Sequence, residues 1–406
     1  MSLKNAAGSK IIIAGAGPVG MCAALSLARA GIPSTLVDAK PRHSCQGSRA
    51  IVLDRQSLEH FSQIGCGKKF LLEGLVPTGR KTFFRGKELF SNIFPRPDDG
   101  SLPLCLNLPQ TRTEQILLEA IEASGLVTIM WNSTVTDIKK CLTEVEVTVT
   151  SSSGMKSLKV LKCEYLLASD GCRSKIRSLC GLDFPGETNP YEFLIVDIEA
   201  NLRRPHEHHF HFDHPTNPGH TLLVVPQPHN VWRIDWQLPL GTKADMRKEA
   251  LSRRVKAVIG DGQPFNVSWS SCYKFHQRLM DQMSCGRIHF LGDAAHLVNP
   301  FGGRGMNSGV QDARCIAGKL IEVYRDGKPH SSVNSYSEER VRANREHQHV
   351  TRKTMRFIAP PHAPARLLRN VILQGSGPIR RLRKYVNSGR LSDASPRTTA
   401  DFPKLH

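Results

Sequence analysis

One stretch near the N-terminus restricts the fold more than any other. Lys10-Ile11-Ile12-Ile13-Ala14 is short, β-branched and apolar after its first residue, as expected for a strand buried on both faces. Gly15-Ala16-Gly17-Pro18-Val19-Gly20 follows at once. Met21 to Ala30, rich in Ala and Leu, then reads as a helix closed by Gly31. A second strand, Ser34 to Val37, stops at Asp38. A strand, a Gly-x-Gly-x-x-Gly turn and a helix in that order predict a dinucleotide site. Gly15 allows the tight turn, Gly17 lets backbone approach a pyrophosphate, and Gly20 lets the helix close on the strand. Pro18 and Val19 lie in the same turn, and the helix N-terminus adds N–H donors and partial positive charge. Asp38 is placed to accept from ribose hydroxyls. The turn by itself does not separate a nicotinamide from a flavin dinucleotide.

The rest of the chain reads as two interleaved domains, the expectation for 406 residues of which 40% are hydrophobic. Arg80 to Phe90 is a hairpin turning at Arg85-Gly86, and a helix runs from about Thr113 to Ala123. Glu144 to Val149 alternates as a strand, and Tyr165 to Ala168 is a buried strand that leads into Asp170-Gly171. Between 190 and 275 strand-like alternation dominates and long helical periods are absent. In Val231 to Leu238 the residues Trp232, Ile234, Trp236 and Leu238 share one face, while Arg233, Asp235 and Gln237 share the other, predicting a sheet with one covered face. From Arg287 the nucleotide-domain style returns, with a Gly-rich loop and a helix from about Gly305 to Arg325. The expected class is α/β: a Rossmann-like dinucleotide-binding domain with an inserted antiparallel β-sheet domain and a C-terminal helical segment. Its parts are 1–79, 110–185 and 276–358 for the dinucleotide domain, 80–109 for a hairpin given to the inserted domain, 186–275 for the inserted sheet, and 359–406 for a basic C-terminal segment whose last stretch is expected to be poorly ordered.

The charge of +19 favours anionic partners without choosing among them. No apolar run is long enough for a membrane span, and the polar start does not read as a secretory signal. Eleven scattered cysteines without a Cys-x-x-Cys pair predict reduced thiols and a cytoplasmic protein, and no metal site.

Two further segments carry a resemblance. Ser169-Asp170-Gly171-Cys172-Arg173-Ser174 with Arg177, and Gly286-Arg287-Ile288-His289-Phe290-Leu291-Gly292-Asp293-Ala294-Ala295-His296, resemble the Asp-Gly and Gly-Asp motifs of the class A flavoprotein aromatic hydroxylases, the p-hydroxybenzoate hydroxylase fold. Pro300-Phe-Gly-Gly-Arg-Gly-Met-Asn307, with Gln311-Asp312-Ala313, resembles the loop and helix beneath their flavin ring. The resemblance spans residues 11 to about 320. It implies a Rossmann-like FAD-binding domain holding non-covalent FAD and an inserted antiparallel β-sheet substrate domain, with Asp293 on the ribityl chain beside Gly292 and Asp170 near the pyrophosphate. Arg49 would reach the phosphates, Gln110 would lie near the FAD linker, and Gly305, Met306 and Asn307 would present a helix N-terminus to the pyrimidine ring. The implied reaction is hydroxylation of an aromatic, phenolic small molecule with O₂ and NADH or NADPH, through a flavin C4a-hydroperoxide. A reductase or dehydrogenase on the same scaffold is the alternative, and a redox-inactive FAD-binding protein is a third reading. Only one strand–GxGxxG–helix unit is present, consistent with transient nicotinamide binding.

Several features stay open in the sequence. Family members commonly carry Gln where Arg304 stands; this arginine either attracts a substrate carboxylate or lies on the surface. Tyr191, Tyr273 and several histidines are all candidates for a general base. His206, His208, His209, His211 and His214 cluster as zinc ligands might, although a solvated or sheet-facing strand is the plainer reading. Trp232 and Trp236 are similar to a halogenase motif but spaced as core residues. The basic run Arg380 to Lys384 suits a solvated face, with peripheral membrane contact left open and nucleic acid not expected. Many phenylpropionate and polyketide hydroxylases carry a further thioredoxin-like domain, which is not expected here on a reading of the sequence to His406. The oligomeric state is open, a homodimer included.

Overall fold

The computed structural model describes residues 10–42, 50–95, 100–152 and 157–387. Strand Ile11–Ala14 lies inside a six-stranded sheet, in the order Ser284–Cys285, Ile288–Phe290, Tyr165–Ala168, Ile11–Ala14, Ser34–Val37, Val127–Met130. Neighbours run parallel except at the Ser284–Cys285 edge. Every residue of Ile11–Ala14 and Tyr165–Ala168 is buried, which explains their lack of polar alternation. Helix Pro18–Arg29 packs against helices Gln110–Ser124 and Arg304–Asp326. Val135, Val145, Val147 and Val149, from a three-stranded antiparallel sheet, join the same core. Three distant stretches of chain thus supply adjacent strands.

A second sheet has eight strands, in the order His296–Leu297, Asn266–Leu279, Gly186–Glu199, Val231–Gln237, Asn217–Pro226, Glu207–His214, Gly79–Phe84, Lys87–Ile93. The early hairpin joins it because Gly79–Phe84 pairs in parallel with Glu207–His214. That hairpin turns at Arg85 (φ 51°) and Gly86 (φ 81°), the left-handed pair whose twist matches the flanking strands.

The second sheet departs from its sequence pattern in two ways. Lys248–Ile259 is a helix, where strands alone were expected. Its buried stripe is only Ala250, Leu251 and Val255, and Leu251 and Val255 pack on Trp232, Ile234, Trp236 and Leu238. Truncating Leu251 to Ala would cost about 2–5 kcal/mol. Both tryptophans are buried in this core rather than displayed. The other face of the strand is covered too: Arg233 is 3% exposed and Gln237 2%. Polar residues there face the interior, not solvent. The earlier helix begins at Gln110 rather than Thr113. Helices Ser335–Ile358, Ala363–Ser376 and Arg380–Asn387 complete the described chain. No helix among the described residues is long and apolar enough to cross a membrane.

Candidate active site

Four parallel strands of the first sheet run toward one edge, and each is followed there by a residue singled out in the sequence. Gly15 follows Ile11–Ala14, Asp38 follows Ser34–Val37, Asp170 lies just beyond Tyr165–Ala168, and Asp293 just beyond Ile288–Phe290. The carboxyl edge of a parallel sheet is where such folds take ligands.

The three fingerprint glycines answer to different neighbours. Gly15 is left-handed (φ +101°), and a Cβ there would stand 2.3 Å from the Ser169 carbonyl oxygen. A Cβ on Gly20 would stand 2.0 Å from the Gly15 carbonyl oxygen. Packing within the chain therefore requires both. Among the described residues a Cβ on Gly17 would meet nothing within 4 Å, which leaves that side of the turn open. Gly17 caps helix Pro18–Arg29, with Pro18 in its first turn. The Val19 side chain packs so tightly on Gly292 and Gly309 that a Cβ on either would lie 3.0 or 2.5 Å from its Cγ2. Asp38 accepts from the Ala16 N–H at 2.6 Å and the Lys40 N–H at 2.8 Å, which pins the turn to the second strand.

Asp170 accepts from the Ile176 N–H at 3.2 Å through Oδ2. Its Oδ1 is buried with no hydrogen-bond partner among the described residues, and burial raises the carboxyl's pKa. Arg177 donates to the carbonyls of Ala294 (2.8 Å) and Cys172 (3.0 Å), tying the Asp-Gly and Gly-Asp turns together. Asp293 itself is exposed. Its turn is held by Asp312, for which the sequence suggested no role. Asp312 accepts from the Gly292 N–H (2.9 Å), His296 Nε2 (2.6 Å) and Arg340 Nε (2.7 Å), all in full burial. His296 and Arg340 hold its carboxyl down at about 2 against the desolvation that opposes them. The motif Gln311-Asp312-Ala313 was visible in the sequence; its partner Arg340 carried no signal.

The loop Pro300–Gly303 leads into helix Arg304–Asp326 through Gly302 (φ 89°) and Gly303 (φ 65°). Asn307 Oδ1 accepts from the Asp54 N–H and the Ser57 hydroxyl, while Nδ2 donates to the Val52 and Gly303 carbonyls. The side chain thus clamps the loop to strand Val52–Asp54, leaving main-chain N–H groups of Gly305, Met306 and Asn307 at the helix end. Met306 packs against the core. The surface reading of Arg304 does not hold: it is 7% exposed. Its charge is felt by both Asp54 and His347, which places it inside between their elements. Gln110 Oε1 accepts from the Ala50 N–H at 3.3 Å, and Nε2 donates to Glu114. Arg49, next to Ala50, lies outside the described residues, as does the tail beyond 387.

These groups suit a flavin dinucleotide. Among the described residues the Gly17 turn is open and a buried carboxylate oxygen at Asp170 has no partner, Asp293 is exposed, and a helix N-terminus follows the loop.

The second sheet turns its aromatic face to that loop. Phe301 meets Phe193 and Phe275, each at 5.7 Å between ring centres. On this face Arg233 forms a buried pair with Asp197 at 2.7 Å, which also accepts from Gln227. Tyr191 donates to the Pro360 carbonyl. His209 and His211 lie against Phe83, and burial lowers His211 to about 3. Among the described residues these histidines do not bring three ligand atoms together. Cys141, Glu144 and Glu146 do, but Glu144 and Glu146 are paired with Lys162, and Glu146 also with Lys139.

A family described as FAD binding domain matches residues 9–351. The 6-methylpretetramide 4-monooxygenase of Streptomyces rimosus is 31% identical over 391 residues, which are 94% of this chain and 68% of that protein. A 3-(3-hydroxy-phenyl)propionate/3-hydroxycinnamic acid hydroxylase of Comamonas testosteroni is 25% identical over 92% of this chain, which spans only 63% of that protein. The crystal structure of the p-nitrophenol 4-monooxygenase PnpA of Pseudomonas putida DLL-E4 superimposes with a TM-score of 0.81 at 22% identity, covering 95% of this chain and 98% of that one. Aklavinone-11 hydroxylase, solved with FAD and aklavinone, superimposes at 0.76 and 19% identity, over 88% of this chain and 70% of that one.

Proposed function

The chain belongs to the FAD binding domain family, and from that premise we propose that it is an FAD-dependent monooxygenase that hydroxylates a phenolic small molecule with NADH or NADPH and O₂. The observation that carries the reading is the meeting of two surfaces. A dinucleotide-type strand edge lies beside a loop, and an inward sheet face with aromatic and buried polar side chains stands opposite that loop. Bound FAD supplies the hydride acceptance and the oxygen activation.

The protein's share is binding, orientation and exclusion of water. Gly17 and the first N–H groups of helix Pro18–Arg29 would take the pyrophosphate. Asp38 would take the outer ribose, Asp293 the ribityl chain and Asp170 a donor near the phosphates. Arg49 and Gln110 would close the linker side. The helix end at Gly305 to Asn307 would favour negative charge on the ring by about 0.3–2 kcal/mol. Arg304, buried at the start of the same helix, would add positive charge near Asp54 and His347. A cytoplasmic setting goes with the reading, since NAD(P)H is the electron source. The test is NAD(P)H oxidation by FAD-loaded protein across a panel of phenolic acids and polycyclic phenols. Stimulation by at least one member is expected, and no stimulation by any member counts against the reading.

A further inference from the structure

We infer that Asp235 is the group that accepts the hydroxyl hydrogen of the phenolic substrate; the inference rests on the hydroxylase reading above. Asp235 sits in mid-strand, opposite Ile195 on one side and Leu223 on the other. Alternation puts it on the face away from Trp232, Ile234, Trp236 and Leu238, whose side is filled by helix Lys248–Ile259. Its own face looks to the loop, because Phe193, two residues from Ile195, meets Phe301. Both ends of this face are closed. Asn107 bonds His208 and the Pro226 carbonyl at one end, and the Ile358 carbonyl accepts from the Thr221 hydroxyl at the other. Between those ends Asp235, Phe210, Ser271 and Tyr273 keep part of their surface open. A covered face with an open middle is where a flat ring would lie.

Three other polar groups of the face have partners. Asp197 is held by Arg233 and Gln227, His208 by Asn107, and Tyr191 by Pro360. Asp235 Oδ1 is buried and has no hydrogen-bond partner among the described residues. A carboxylate oxygen so placed costs stability unless something supplies a donor, and a phenol does. Burial pushes the carboxyl up to about 7, with Arg233 pulling it down and Asp197 pushing it up. It can therefore take a proton and return it near neutrality. As the phenol O–H breaks, its proton passes to Asp235. The electron pair left on oxygen raises the nucleophilicity of the ring carbon that bonds to one atom of O₂. As that bond forms the O–O bond breaks and the other atom leaves as water, the hydrogen of the attacked carbon is lost as a proton to restore the ring, and NAD(P)H with one further proton supplies the two reducing equivalents.

Titratable groups facing this region are Arg233 on the same strand, Asp197 and Tyr191 on a neighbouring strand, Tyr273 on the strand beyond, Arg80 and His208 toward the far end, and Arg369 of helix Ala363–Ser376, which lies over Phe212. The facing loop Pro300–Gly303 has none in its sequence. The test compares 3-hydroxyphenylpropionate, 4-hydroxybenzoate and 4-nitrophenol with their O-methyl ethers, read by the absorbance change of bound FAD. Wild type should prefer the phenol over its ether by about ten- to a hundredfold, and lose preference as pH falls through about 7. Asp235→Leu should bind both alike, and Asp235→Asn should show a reduced preference without that pH step. Flavin-loaded variants that keep the full preference and its pH step overturn the assignment and leave the hydroxylase reading standing. Failure of every compound to perturb the wild-type flavin overturns both.

Discussion

Asp312→Asn should destabilise this protein far more than an average substitution. The carboxylate is fully buried and answers three donors, among them the Arg340 guanidinium at 2.7 Å. Asparagine keeps the shape but leaves Arg340 buried without its counter-charge, a loss of about 3–5 kcal/mol. The native carboxyl titrates at about 2 against 3.8 for an unstrained aspartate. A depressed pKa means stability that is present above pH 3.8 and lost as pH falls toward 2. The amount is about 2–3 kcal/mol, and it should vanish from the pH profile of the variant. Because the Gly292 N–H is one of the three donors, the Asp293 turn should loosen and FAD affinity should fall by about tenfold. Urea unfolding of FAD-loaded protein, followed by tryptophan and flavin fluorescence at several pH values, measures all of this. Asp312→Leu with Arg340→Met should recover only the part of the loss due to the unpaired guanidinium, since His296 and the Gly292 N–H still lose their acceptor. An Asp312→Asn variant within about 0.5 kcal/mol of wild type, the range of ordinary surface changes, would refute the reasoning.

Gly20→Ala should fail to fold or lose several kcal/mol, because its Cβ would collide with the Gly15 carbonyl at 2.0 Å, while Gly17→Ala should fold and lose FAD; circular dichroism and flavin content separate the two. Asp293→Ala should weaken FAD by about ten- to a hundredfold and more than Asp38→Ala, read by fluorescence titration of apoprotein. Stability should fall steeply from pH 6.5 toward 3, because burial lowers His208, His289 and His347 to about 3 and only the unfolded chain binds their protons in that window. Each adds about 1.4 kcal/mol per pH unit to the slope, and replacing His289 with Gln should flatten it.

The fingerprint was legible because its physics is local. A β-branched run, glycines where carbonyls crowd, and an Ala- and Leu-rich helix each follow from spacing alone. The motifs at Asp170 and Asp293 could be read by resemblance, but nothing local said that Arg177 would bridge them. The pairing of Asp312 with Arg340 depends on two helices meeting, and a single sequence does not encode that meeting visibly. Helix Lys248–Ile259 was missed because its stripe of Ala250, Leu251 and Val255 is narrow and set among charges. The polar residues Arg233, Asp235 and Gln237 read as solvent-facing because alternation cannot distinguish water from an internal polar wall. The surface reading of Arg304 failed in the same way, since this charged residue between glycines turns inward.

The most direct test of the central claim is isotopic. FAD-loaded protein, NAD(P)H and the best phenolic compound from the panel are incubated under ¹⁸O₂, and the product is analysed by mass spectrometry. The account predicts a hydroxylated product carrying a single ¹⁸O atom, formed in step with NAD(P)H consumption. Turnover of the aromatic compound with no label from O₂ would contradict it and favour a dehydrogenase.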